Sequence, residues 1–346
     1  MKFFLRFTFL LLLLVSFATH AADKVLNVYA WTGEVPDFVV HMFEKETGIK
    51  VNFSTYDNNE IMYAKIRTTK NPGYDVIMPS SYFVDRMARQ NLLEKLDKSK
   101  LPNWKNINPN FLNPAYDPKS EYSSPYIWGI TGIFYNDKYY KAGELKKWAD
   151  LWDERFYNKL MLLDDTREVF SMVLMRLGYP ANDRNPEHIR EAYLKLKELL
   201  KNVKVFSTGT SVSIMIDEDA TVGMAWNGDT YRASRENKNI HFTFPEEGFV
   251  IWVDNFAIPK TAPHKEAAYQ FLNFVLRADI AKEVAVAANF PTTNLAGFNL
   301  LPDSIRNDQT IYPSKEIMSH AQFQTDLGDD TLALYEKYWE ELKMSG

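Results

Sequence analysis

The spacing of apolar residues changes repeatedly along the chain, and each change marks an element. Residues 25–31, VLNVYAW, read as a strand. A turn at Thr32–Gly33 leads into a helix from about Pro36, since proline is tolerated in a first turn. Gly48 stops that helix. In IKVNFSTY the residues Ile49, Val51 and Phe53 alternate with polar ones, which predicts a second strand. Asp57 to Asn59 cap a helix carrying Ile61, Met62 and Ile66. YDVIMP (74–79) is almost wholly apolar and predicts a third strand, followed by a helix in SSYFVDRMARQ. Strand and helix in this alternation predict a mainly parallel sheet covered on both faces.

The rhythm returns in the second half. MLLDD (161–165) predicts a short strand running into a helix, TREVFSMVLMRLG, which ends at Gly178. A longer helix is expected over about 188–200, and ATVGMAW (220–226) is a strand followed by NGD and another helix. GFVIWVDNFAIP (248–259) is a long extended run ended by Pro259. Two strongly periodic helices follow in HKEAAYQFLNFVLR and ADIAKEVAVAAN, and a last one covers about 330–344. No repeat occurs, and no low-complexity linker separates two domains. Two α/β lobes without a linker imply that the chain crosses between them more than once. PYIWGITGIFYN (125–136) and WVDNFAIP (252–259) are the candidate crossings, being extended, aromatic and free of loop chemistry. Two such strands side by side make a hinge. The cleft between the lobes, at the carboxyl ends of strands, is then the natural ligand site.

The first 21 residues stand outside this pattern. They begin with Lys2 and Arg6, continue in an apolar run from Phe7 to Phe17, and end on small residues before an expected cut after Ala21. That is the form of a cleaved secretory signal, and the run is too short to span a bilayer comfortably. The chain has no cysteine, which excludes disulfides and a lipid-bearing cysteine. A protein exported to the bacterial periplasm is expected, without direct membrane insertion; a secreted enzyme also fits these features. Removing the signal moves the formal net charge from -5 to -7. An acidic chain of this kind is not built for nucleic acid, which needs a basic face.

Acids and aromatic rings collect where the strands end. Trp31 closes the first strand, Ser80, Ser81 and Tyr82 follow the third, and Asp164–Asp165 end MLL. Trp226 ends ATVGMAW, while Trp252 and Asp254 lie in the second crossing. Most of these have a plain structural explanation. Trp31 and Trp226 serve equally as core, Ser80 and Ser81 as helix caps, and Asp165 with Glu168 as a capping-box analogue. Asp254 does not: a buried acid needs a partner, and the nearest basic residue in sequence is Lys260, beyond Pro259. Three carboxylates and several ring faces on one cleft describe a receptor for an organic cation.

The segments YAWTGEVP, FEKETGIKV, YDVIMPSSYFVDRM, LDKSKLPNW, PYIWGITGI, LLDDTREVF, GMAWNGD and IWVDNFAIP occur in order over nearly the whole mature chain. Together they resemble the periplasmic spermidine/putrescine-binding proteins of bacterial polyamine ABC transporters. The resemblance implies a type II periplasmic-binding-protein fold, α/β and two-lobed, with the ligand between the lobes. It implies a lobe made of 22–129 with 256–303, and a second made of 130–255 with 304–346. By the same resemblance, Trp31, Thr32, Ser80 and Tyr82 contact ligand from the first lobe, and Asp165, Glu168 and Trp226 from the second. Trp252 and Asp254 contribute at the crossing and Gln324 near the C-terminus. Asp165 and Glu168 would hold one terminal ammonium, and Asp254 would face another amine.

The chain departs from the family's pattern at three places. Gly33 and Glu34 stand where a glutamate and a tyrosine are usual, so the acid has moved by one residue. Phe290 replaces a tyrosine, keeping the ring without the hydroxyl, and Phe323 replaces a tryptophan beside Gln324. Glu34 is the only acid near the first turn able to meet a third amine, so spermidine is expected to bind more tightly than putrescine. Otherwise Glu34 is an early-helix acid pointing to solvent. The expected role is the binding subunit of a polyamine importer, working as a monomer with an inner-membrane permease, without enzymatic activity, cofactor or metal. A polyamine sensor, or a binder of another organic cation, fits the same residues. A glycosidase does not, because Asp165 and Glu168 lie one helical turn apart on one face. An iron carrier using Tyr139–Tyr140 is weakened by NDKYYKAG, which reads as a solvated helix edge, and DEDA (217–220) reads as a turn.

Overall fold

A computed structural model describes residues 24–345. The expected signal peptide lies outside the described residues. Strands β1 (Val25–Trp31), β2 (Lys50–Tyr56) and β3 (Val76–Ile77) form a parallel sheet in the order β2-β1-β3. The helix Asp37–Thr47 joins the first two strands. It ends at Gly48, whose backbone is left-handed and whose N–H closes on the Glu44 carbonyl. The helix Asn59–Thr68 is capped by Asn58, whose side chain accepts the Ile61 N–H.

The expected third strand is cut to two residues, because polar side chains take its flanking hydrogen bonds. The Asp75 carboxylate accepts the Asn27 N–H at 2.8 Å, and the Tyr56 hydroxyl donates to the Met78 carbonyl. After it comes the helix Ser81–Arg89.

The second sheet contains β4 (Ser124–Asn136), β5 (Leu160–Leu162), β6 (Val203–Phe206), β7 (Val222–Trp226), β8 (Ile240–Thr243), β9 (Phe249–Phe256) and β10 (Ala321–Phe323). Its order is β10-β9-β4-β7-β5-β6, with β8 also paired to β4. Every residue of β4 is buried. Its first half pairs antiparallel with β9, from Ser124↔Phe256 to Ile130↔Ile251, and its second half with β7 and β8. Beyond this ladder, bridges Ile77↔Ala257 and Ser80↔Asp254 join β9 to the first sheet. The two expected crossing strands are therefore neighbours, one running out and the other back. This return also makes the second sheet mixed rather than mainly parallel, since a strand that crosses and returns pairs antiparallel. The helices Thr166–Arg176, Pro186–Leu199 and Asp329–Lys343 pack against one another.

Candidate ligand site

The side chains at the cleft are held by short local devices. Trp31 ends β1, and the turn after it uses Gly33 at φ +82°, a conformation that favours glycine. That turn carries Glu34 inward: it is only 5% exposed, against the expectation that it could decorate a solvated helix start. Ser80 stands at the N-cap of the helix Ser81–Arg89 but makes no side-chain cap. Its hydroxyl instead donates to Asp254 Oδ1 at 2.5 Å, while Asn59 Nδ2 donates to Ser80 Oγ at 3.0 Å. Asp165 does cap its helix, accepting the Glu168 N–H at 2.9 Å, so the structural explanation holds and the side chain still lines the cleft. Trp252 on β9 lies against Gly129 on β4. A Cβ on Gly129 would fall 2.2 Å from the Trp252 ring, so the ring needs that bare backbone.

These elements line a cavity that opens to solvent, with about 330 Å³ of space counting that opening. Trp31, Glu34, Ser80, Tyr82, Asp165, Glu168, Trp226, Trp252, Asp254 and Gln324 line it, joined by Asn59. Thr32 and Phe290 do not; they border a larger adjoining chamber that shares Trp31, Glu34 and Trp226 with the cavity. Thr32 Oγ1 donates to the Tyr56 carbonyl, and Phe290 packs edge-on to Trp252 with ring centroids 5.3 Å apart. Three indoles form a continuous wall, Trp31 to Trp226 at 6.1 Å and Trp226 to Trp252 at 6.0 Å, each pair edge to face. Gln324 is held by donating to Ser171 Oγ at 3.2 Å.

No ion pair among the described residues neutralises the cavity's acids directly, although Arg167 and Arg232 act on them at a distance. Among the described residues, Glu34, Asp165, Glu168 and Asp254 form no ion pair. The nearby Arg167 is turned away, donating to the Thr325 carbonyl and Asn182 Oδ1 while lying over the Tyr82 ring. Buried Glu34 Oε2, Glu168 Oε2, the Tyr82 hydroxyl and the Trp226 and Trp252 indole N–H groups lack hydrogen-bond partners. Burial disfavours the charged carboxylates and drives their pKa values up. Glu168 rises to about 8 through burial and then the charge of Asp165. Asp254 rises to about 7 through burial, although the Ser80 hydroxyl works against this. Glu34 is pushed well above the usual range by burial and by Asp254 beside it. Asp165 is also raised by burial, with the Glu168 N–H opposing. Such a pocket gains most from a ligand that brings positive charge and hydrogen-bond donors.

Sequence reasoning missed several participants. Asn59 lies in the Asp57–Asn59 run assigned to capping; Asn58 caps, while Asn59 reaches to Ser80. Half-buried Glu60 has its pKa raised, by burial first and then by Asp165. Asp229 and Arg232 line the chamber, and only the NGD motif hinted at the former. DEDA is a turn as expected, but NDKYYKAG is a turn rather than a helix edge; Glu218 pairs there with Lys138 and Tyr139, while Asp164 pairs outward with Lys343. Among the described residues no cluster of His, Asp and Glu suits a metal ion.

Residues 39–309 match the family described as bacterial extracellular solute-binding protein. The chain belongs to that family. A spermidine/putrescine-binding periplasmic protein of Salmonella typhimurium is 43% identical to this solute-binding protein, over 94% of each chain. A putrescine-binding periplasmic protein of Escherichia coli is 34% identical over 88% of each. The solved substrate-binding protein of a spermidine/putrescine ABC transporter from Streptococcus pneumoniae superposes with a TM-score of 0.79 at 33% identity, covering 93% of this chain and 99% of its own. The two-lobed fold expected from the sequence is thereby established. This solute-binding protein is periplasmic, as its relatives are named, and a transport component rather than an enzyme.

Proposed function

We propose that the protein captures spermidine, and putrescine less tightly, in the periplasm and delivers it as a monomer to an inner-membrane ABC permease. The carrying observation is the cavity itself: four buried carboxylates without ion pairs, walled by three indoles. Asp165 and Glu168 take one terminal ammonium, Asp254 takes a second amine, and Glu34 beside Asp254 meets a third. Tryptophan faces add roughly 0.5–2 kcal/mol for each stacked ammonium. Methylenes laid on the rings add about 0.8 kcal/mol per buried CH₂. Tyr82, Trp226, Trp252 and Gln324 shape the channel, and Ser80 aims Asp254. Thr32 and Phe290 border its outer end. The lobes are 22–129 with 256–303, and 130–255 with 304–346. Relatives named for spermidine/putrescine and for putrescine alone support the polyamine class; the extra acid at position 34 supports the triamine. Native mass spectrometry of the purified protein, followed by calorimetric titration with spermidine and putrescine, tests the reading. Tighter binding of spermidine is expected, and no heat with either polyamine would refute it.

A further inference from the structure

The chamber beside the cavity ends on an ion pair that nothing in the proposed capture of spermidine uses. Asp229 lies in the first turn of the helix Asn227–Glu236 and is buried. Its Oδ2 accepts the Ser211 hydroxyl at 2.5 Å, and its Oδ1 accepts Arg232 Nη2 at 3.1 Å. Arg232 also reaches over the cleft. Nη2 lies 3.5 Å from the Ala288 carbonyl, and Nη1 lies 3.9 Å from where a Cβ on Gly33 would stand. The guanidinium therefore hangs over the turn that carries Glu34. Any chain leaving the cavity past Glu34 enters a space faced by a fixed positive charge, and the acid behind that charge is already neutralised.

We propose that Arg232 is a length filter, which admits ligands whose last ammonium stops at Glu34 and rejects one carrying a fourth. The proposal rests on the polyamine reading of the cavity. Shape is not the barrier. The chamber holds about 880 Å³ of open space, and its walls include the small polar residues Thr208, Thr210 and Ser213. A further aminopropyl arm would fit, and Asp229 alone would welcome it. Arg232 cancels that attraction, and its guanidinium, which stays charged at every physiological pH and lies against the Gly33 turn, is the end of the pair an ammonium leaving Glu34 meets first. Specificity built by placing a like charge against the wrong ligand needs no change in the contacts to the right one.

Calorimetric titration of the wild type, Arg232→Gln and Arg232→Lys with spermidine and the tetraamine spermine tests this. In the wild type, spermine should bind at least about tenfold more weakly than spermidine. Arg232→Gln should narrow that gap about tenfold or more, and Arg232→Lys, which keeps the charge, should preserve it. If Arg232→Gln folds poorly because Asp229 loses its partner, Asp229→Asn/Arg232→Gln removes both charges and should narrow the gap as well. Equal wild-type affinities, an unchanged gap in the neutral variants, or a gap closed as much by lysine as by glutamine would overturn the filter. If the wild type binds no polyamine, the polyamine reading falls first; if spermidine binds and the gap ignores the charge at 232, only the filter falls.

Discussion

Asp254 is only 2% exposed, and its one clear hydrogen bond comes from Ser80. An asparagine can accept that same bond while carrying no charge. Asp254→Asn should therefore leave the empty protein at least as stable, because a costly buried charge has gone. The complex should suffer. Breaking a buried pair costs on the order of 3–5 kcal/mol, so spermidine should bind about a hundredfold more weakly or worse. Thermal melting and calorimetry together check this, and a near-wild-type affinity removes Asp254 from the site. Glu34 has a subtler consequence. On the proposed reading it meets the third amine, so Glu34→Gln should weaken spermidine by about tenfold or more while putrescine stays within a fewfold. A wild-type preference for putrescine, or an equal loss for both ligands, would exclude the assignment.

At the scale of elements, the helix Thr166–Arg176 and the strand β4 each serve packing and site together. Asp165 caps the helix and lines the cavity, and two substitutions separate these roles. Asp165→Asn keeps a good cap and loses the charge, so binding should drop with stability nearly intact. Asp165→Ala should lose about 1 kcal/mol of stability as well; equal stability in the two variants would show that the cap contributes nothing. Gly129→Ala would drive a methyl group into the Trp252 ring, so loss of binding through a displaced indole is expected from a residue with no side chain of its own. The strands that could be read in the sequence were those with long apolar runs, and their ends pointed to Trp31, Trp226 and Asp254. The strands β6, β8 and β10 are no shorter than β5, but a polar residue breaks each of them, so neither an apolar run nor a sustained alternation registers. Asn59 and Arg232 escaped for a different reason. Ser80 reaches Asn59 by tertiary approach, which no local pattern marks; Asp229 and Arg232 are three residues apart on one helix, so their pairing was readable but its place over the cleft was not. Glu34 is buried among Asp254, Asp229 and Arg232, groups far along the chain that no local pattern ties to it.

For the whole molecule, the acids in the cleft couple closure to pH. Arg86 pairs with Asp326 and Asp329, and Arg89 with Asp326, which on the proposed division of the chain places ion pairs between the lobes. Those contacts favour the closed form, while four buried carboxylates oppose it once ionised. In this structure Asp254 is raised to about 7 and Glu168 to about 8; in the proposed open form both would meet water and behave as ordinary carboxylates. The closed form therefore holds more protons than the open form. Its advantage is complete below the ordinary carboxylate range and is lost as pH rises through about 7 to 8. Spermidine reverses the sign, because its ammoniums stabilise the charged carboxylates and lower their pKa values. Binding near neutral pH should release protons, and affinity should rise between about pH 5 and pH 8. Calorimetry in two buffers of different ionisation heat reads the proton release directly. Small-angle scattering reads the shape: the unliganded protein should expand as pH rises through that window, and the spermidine-saturated protein should stay compact throughout, since a ligand touching both lobes gains contacts in the closed form that it lacks in the open one. A radius that ignores both pH and spermidine, or an affinity that climbs as the solution turns acid, would show that these carboxylates do not govern closure.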